Sequence, residues 1–203
     1  MDKFLRKIST LLVYLFLICN SILVLGPVIW TIMASFKKGN NLFSSTFSGI
    51  EFTFDHYITL FTDTPYMQWY LNTFILATAN MLISLFVVTM TAYVFSRYRF
   101  RGKRNTLMSI LVLQMFPAFL SMTAIYILLS KANLIDTYTG LLLVYVTGSL
   151  PFMTWLVKGY FDAIPTSLDE AAKIDGAGHL TIFIQIILPL AKPILVFVGL
   201  VSF

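Results

Sequence analysis

The chain of 203 residues is 58% hydrophobic and only 11% charged, with a formal net charge of +5. That balance excludes an ordinary soluble domain, in which about a quarter of the residues are charged. The few charges are clustered, and they leave the charge-free runs Ile8–Phe36, Thr64–Ser96, Asn105–Ser130 and Thr137–Val157.

Each run exceeds the roughly 20 residues that a helix needs to cross about 30 Å of hydrocarbon. A fifth run starts at Pro193 and is still apolar at Phe203. The expected fold is therefore all-α: one transmembrane helix bundle over residues 1–203, with about five spans at 8–35, 72–96, 106–129, 141–161 and 193–203, the last incomplete. Trp30, Trp69, Tyr70, Tyr93, Tyr98, Trp155 and Tyr160 lie near the ends of these runs and suit an interfacial belt. The single Cys19 lies inside the first run, so no disulfide framework or metal site is built from cysteine within one chain. Lys3, Arg6 and Lys7 precede an apolar run too long for a cleaved signal peptide, which predicts a retained first span.

Basic residues set the orientation. With the N-terminus in the cytosol, Lys3, Arg6, Lys7, Arg97, Arg99, Arg101, Lys103, Arg104, Lys158, Lys173 and Lys192 lie inside. Only Lys37, Lys38 and Lys131 then lie outside. The opposite orientation inverts that ratio.

Span 1 contains Gly26-Pro27, where a kink is expected because proline removes a helical hydrogen bond. The connector from Phe36 to about Tyr70 is mixed and external, and its lone His56 is no ligand. In span 2, Asn80 and Ser84 share a face that must pack inward, with interhelical hydrogen bonding as its simplest use. Its basic, aromatic exit, Arg97-Tyr98-Arg99-Phe100-Arg101-Gly102-Lys103, follows a membrane span directly. It therefore reads as a stop-transfer and anionic-lipid anchor rather than a nucleic-acid surface.

Span 3 carries Gln114-Met115-Phe116-Pro117, then Ser121 and Thr123. A buried amide beside a carbonyl freed by proline can line a hydrated path for a hydroxyl-rich solute, as can the two hydroxyls. The external turn holds Leu134-Ile135-Asp136-Thr137 and Gly140. Span 4 is expected to break at Gly148-Ser149-Leu150-Pro151, which makes Thr147 and Ser149 further path candidates.

A charged, turn-rich loop follows over residues 162–189. Pro165 starts a short amphipathic helix, and Ser167 with Glu170 has the form of a capping box. Spacing places Leu168, Ala171 and Ala172 on one face, with Asp169, Glu170 and Lys173 on the other. Gly176 closes the last turn in left-handed geometry. A second helix, about Gly178 to Leu188, leads to Pro189. His179 within the loop is expected to pack rather than titrate.

Glu170-Ala171-Ala172, then Asp175-Gly176, then Ile186, Leu188 and Pro189, at these spacings and between two spans, resembles the EAA loop of binding-protein-dependent ABC importer permeases. The opening of span 2 at Asn72-Thr73-Phe74, its basic exit, Gln114–Pro117, Leu134–Gly140 and Pro151–Trp155 are similar to the sugar (maltose/multiple-sugar) branch. The resemblance implies a multi-pass permease of a bacterial-type inner membrane, not itself an enzyme. It also implies a second permease subunit, an ABC ATPase dimer holding ATP and Mg, an extracytoplasmic sugar-binding protein, membrane lipids and no nucleic-acid partner. In that family the loop is a coupling helix seated in the ATPase. Glu170, Ala171, Ala172, Asp175, Gly176, Leu188 and Pro189 are thus the implied coupling residues, and Gln114, Pro117, Ser121, Thr123, Thr147 and Ser149 the path candidates. Members have about six spans, so a chain ending inside the fifth is expected to be a fragment or truncated product.

The rival classes fare worse. The sequence has no Walker A pattern and only two histidines, His56 and His179, which argues against an intramembrane hydrolase. Channels and proton-coupled transporters more often place acids or bases inside their spans, and these spans carry none apart from Lys158 at the cytosolic tip of span 4. A permease for an amino acid, peptide or polyamine is the alternative within the ABC class.

Overall fold

The computed structural model describes residues 2–39, 52–115 and 118–203. All regular structure among them is helical, apart from one isolated antiparallel bridge between Lys37 and Phe52. The helices are α1 Asp2–Ser35, α2 Asp55–Thr62, α3 Tyr66–Arg97, α4 Lys103–Gln114, α5 Ala118–Lys131 and α6 Tyr138–Ala163. They continue with α7 Ser167–Ile174, α8 His179–Ile182, a π-helical turn Phe183–Ile187, α9 Leu188–Leu190 and α10 Lys192–Ser202. The chain divides into two compact units, Met1–Trp69 and Tyr70–Phe203.

In the first unit, Thr10–Ser35 of α1 is long and apolar enough to cross a membrane. Its large side chains stand exposed, Leu11, Phe16 and Leu23 among them. Such a surface is stable against lipid tails, which are as apolar as leucine. The helix runs on through Pro27, and Thr31 Oγ1 donates to the Pro27 carbonyl oxygen at 2.8 Å. Past α1, a small aromatic cluster of Phe36, Phe54 and Tyr57 forms around the Lys37–Phe52 bridge. His56 Nε2 meets the Lys37 carbonyl oxygen at 2.9 Å, a structural use for a residue that spacing gives no ligand role.

The second unit is built on α3 and α6, both long and apolar enough to span. Val88, Ala92 and Tyr93 of α3 join Met153, Val157 and Phe161 of α6 in one buried cluster. Ile164, Ala172, Ile182, Phe183, Ile187, Ala191 and Val198 complete it. On α3, Asn80 Nδ2 donates to the Ser202 carbonyl oxygen at 2.6 Å, and Ser84 Oγ lies 3.4 Å from Asn80 Oδ1. The inward-facing polar stripe therefore ties α3 to the end of α10.

Three features of the spans bear on the sequence-based expectations. The proposed break in span 4 is absent: α6 is one helix of 26 residues with Pro151 inside it. Proline removes one backbone donor, and in hydrocarbon a helix that keeps all its other bonds is better than a gap that frees several. The third run forms two shorter helices, α4 of 12 and α5 of 14 residues, on either side of residues 116 and 117, which lie outside the described residues. The fifth run does not stand alone. His179–Leu190 and Lys192–Ser202 meet at a bend of 79°, with Pro189 one residue from the end of the first segment and Pro193 in the first turn of the second, where a missing N–H breaks no bond.

The α5–α6 turn explains its own sequence. Asn133 and Asp136 take positive φ, and Thr137 Oγ1 donates to the Leu134 carbonyl oxygen at 2.8 Å while accepting from Gly140 N–H at 3.0 Å. A Cβ on Gly140 would collide with the Leu134 carbonyl oxygen. Gly140→Ala is therefore expected to destabilise the second unit by about 1–3 kcal/mol, the range for overpacking. A lowered Tm of the detergent-solubilised protein checks this; an unchanged Tm would mean that the turn yields freely.

Candidate functional site

The short helix α7 presents an exposed knob on a buried base. Glu170, Ala171, Lys173 and Ile174 are exposed, with Ile174 at 87%, whereas Asp169 and Ala172 are buried. The helix closes as a Schellman motif. Gly176 sits at φ +83° as the residue after the cap, its N–H donates to the Lys173 carbonyl at 3.0 Å, and Ala177 N–H donates to the Ala172 carbonyl at 2.9 Å. The predicted role of Gly176 in the turn is thus met.

The start of the helix differs from the capping-box reading. Thr166 is the N-cap, in right-handed helical geometry, and it makes no side-chain cap bond; Ser167 is already the first helical residue. A box needs an extended N-cap with its hydroxyl aimed at the third N–H, and the turn after Pro165 does not present Ser167 that way. The predicted faces also shift. Leu168 and Ala171 are exposed, and Asp169 turns inward with Ala172.

The reason is Arg97, the last residue of α3. Its Nε lies 2.8 Å from Asp169 Oδ2, with both side chains more than nine-tenths buried, and Nη2 donates to the Ile164 carbonyl oxygen at 3.0 Å. The Nε–H is not well aimed at the carboxylate, and Asp169 Oδ1 accepts no hydrogen bond. Charge and burial hold this pair rather than a two-pronged fork. Further contacts fix the same end of α3. Ser96 Oγ donates to Asp162 Oδ1 at 2.7 Å, and Lys158 Nζ approaches Asp162 Oδ2 at 2.5 Å from one turn earlier on α6. Tyr93 Oη donates to the His179 carbonyl oxygen at 3.3 Å, and the Tyr98 ring lies 5.4 Å from the His179 imidazole. Residues 93–98 therefore hold the end of α6, the base of α7 and the start of α8 together. The ends of α3 and α6 meet here, as they must if both spans leave the membrane on the cytosolic side.

Of the residues singled out by sequence, α7 and its cap bring Glu170, Ala171, Asp175 and Gly176 to one exposed surface, while Ala172 packs in the core. Leu188 is half-buried and Pro189 exposed. The path candidates are not joined to one another by any hydrogen bond among the described residues. Gln114 and Thr123 are exposed and Ser121 is half-buried. Thr147 Oγ1 donates back to the Leu143 carbonyl at 2.6 Å, and Ser149 Oγ to the Val146 carbonyl at 3.1 Å. Pro117 lies outside the described residues. Sequence reasoning missed the role of Arg97 and Asp169. Asp169 lies three residues before Ala172, which puts the two on one helical face, and a buried acid demands a base.

Comparison with known proteins agrees with this architecture. A family model described as "Binding-protein-dependent transport system inner membrane component" matches residues 88–203, which include α6, α7 and the bend into α10. The chain is 42% identical to the maltodextrin transport system permease protein MdxG of Bacillus subtilis (strain 168), over 98% of this chain and 71% of that protein. It is 39% identical to the maltodextrin transport system permease protein MalD of Streptococcus pneumoniae (strain ATCC BAA-255 / R6), over 99% and 72%. With the galactooligosaccharides transport system permease protein GanQ of Bacillus subtilis (strain 168) the identity is 43%, over 98% and 71%. A crystal structure of a bacterial ABC transporter involved in the import of the acidic polysaccharide alginate superposes with a TM-score of 0.84 at 26% identity, covering 97% of this chain and 69% of that one. With its apolar spans, its helix-only architecture and these matches, the chain belongs to the inner-membrane permease family of binding-protein-dependent ABC importers.

Proposed function

We propose that this chain forms half of the translocation path of a sugar or oligosaccharide importer, and that α7 couples that path to ATP hydrolysis in a separate ATPase subunit. The observation that carries the reading is the two-sided α7. Its outer face offers Glu170, Ala171 and Ile174 to a soluble partner, and its inner face is bound to a membrane span through Asp169 and Arg97. An apolar knob at 87% exposure is what a helix seated in a partner's groove presents. The buried ion pair then passes rigid displacement of the knob to α3.

In this reading two permease subunits enclose the path, and an ATPase dimer holding ATP and Mg draws the two coupling helices together. An extracytoplasmic binding protein delivers the solute on the far side. Hydroxyl-rich solutes suit spans that carry amides and hydroxyls without fixed charge, and the relatives that transport maltodextrins and galactooligosaccharides support that class. Gln114, Ser121, Thr123, Thr147 and Ser149 are the side chains proposed to line the route, with Pro117 beside them. The Thr147 and Ser149 hydroxyls donate to their own helix, which leaves their oxygen lone pairs free to accept from a sugar hydroxyl.

Crosslinking tests the coupling. A cysteine at the exposed Ala171, in a Cys19→Ser background, should crosslink to a Walker A ATPase in the assembled complex, with a yield that changes on adding ATP. Crosslinks that reach no ATPase would overturn the assignment. ATPase stimulation by a panel of sugar-loaded binding proteins identifies the solute.

A further inference from the structure

The chain leaves α3 at Arg97 and starts α4 at Lys103, and the turn between them borders a cavity of about 510 Å³. Three cations line it, Arg99, Lys103 and Arg104, beside apolar walls from Phe100, Leu107 and Met108. No carboxylate among the described residues lines it. Among the described residues Arg99 and Arg104 make no ion pair, while Lys103 spends one of its three N–H groups on the Tyr98 carbonyl at 3.1 Å. Asp162 on α6 is already engaged by Lys158 and Ser96.

A further observation points to an anion. Helix α4 begins at this cavity with Gly102 as its N-cap, at φ +88°, and no side chain caps it. Lys103 N–H turns back to the Phe100 carbonyl at 3.4 Å, and the N–H groups of Arg104 and Asn105, with no acceptor among the described residues, carry partial positive charge. Trp155 of α6 also lines the cavity. The cavity begins two residues beyond the end of α3, a helix long and apolar enough to cross a membrane.

We propose that this cavity binds the headgroup of an anionic phospholipid, its phosphate among Arg99, Lys103 and Arg104 and its first methylenes against Phe100, Leu107 and Met108. The mixed wall selects a lipid over free phosphate, which would leave the apolar half of the cavity unfilled. The site uses none of the residues of the α7 knob or the Arg97–Asp169 pair. It rests on the membrane placement of the chain and not on the proposed solute or ATPase coupling.

Native mass spectrometry of the assembled, delipidated complex, titrated with phosphatidylglycerol, tests this. One lipid adduct per copy of this chain is expected, and phosphatidylcholine should bind more weakly. Arg104→Gln should weaken phosphatidylglycerol about fivefold, the effect of one basic residue near an anionic headgroup, and Arg104→Lys should largely restore it. Met108→Trp, which fills the cavity and keeps every charge, should weaken it too. Arg101→Gln removes the same charge from the same segment but does not line the cavity, and should leave binding unchanged. Equal loss with Arg101→Gln, no loss with Met108→Trp, or equal binding of phosphatidylcholine would overturn the proposal. So would competition by inorganic phosphate at concentrations equal to the lipid, or loss of a protein subunit rather than of lipid from Arg104→Gln.

Discussion

Replacing Arg97 by glutamine is expected to lower the stability of the second unit by about 3–5 kcal/mol, the cost of leaving one member of a buried ion pair without its partner. Asp169 would remain more than nine-tenths buried, with one carboxylate oxygen already lacking a hydrogen bond. The Ile164 carbonyl, which now accepts from Nη2, would lose its donor as well. The pair is not the whole hold on α7, since Ala172 and Ala177 also pack against the common core. Asp169→Leu combined with Arg97→Met should therefore recover most of the stability, because apolar residues of similar volume need no desolvated partner. Thermal unfolding of the solubilised complex reads both effects. A Tm unchanged by Arg97→Gln would show that α7 is held by packing alone. Arg97→Gln should also reduce solute uptake more than ATP hydrolysis, since α7 would no longer report to α3.

The second large effect is expected on the outer side of the same helix. Glu170 is exposed and makes no side-chain hydrogen bond or ion pair among the described residues, so Glu170→Lys should change stability by no more than about 0.5 kcal/mol. Under the proposed coupling it should nonetheless abolish uptake while the ATPase keeps hydrolysing ATP, because the reversed charge meets the partner's groove. Gly176→Leu acts through the backbone. No atom lies within 4 Å of where its Cβ would stand, so the strain comes from φ +83° alone, about 1–2 kcal/mol for an L-residue. The two Schellman bonds that close α7 would stretch or break, and the knob would tilt. Insertion into the membrane should survive both changes. Uptake at the unaltered rate by both variants in a reconstituted complex would remove α7 from the coupling path.

Gly176 and the Arg97–Asp169 pair separate what was readable in the chain from what was not. The membrane class, the long spans α1, α3 and α6, the positive-inside end of α3 and the left-handed glycine that stops α7 are all local. Runs without charge, and a glycine set between a helix and a turn, follow from neighbouring residues alone. The EAA spacing that marks the family is local in the same sense, because it lies within one loop.

Asp169 was different. Periodicity put it on the wet face with Glu170, since a lone acid in a short helix is ordinarily solvated. What reversed that was a guanidinium from the far end of α3, brought close only when α3 and α6 pack and lower the dielectric around both charges. The unbroken α6 has a similar origin. Gly148 and Pro151 favour a break taken by themselves, and the helix persists because hydrocarbon leaves unpaired backbone groups no other partner. Local pattern determined which segments enter the bilayer and where the knob lies; long-range packing decided which face of the knob is free, because pairing between distant charges depends on distances that no local spacing contains.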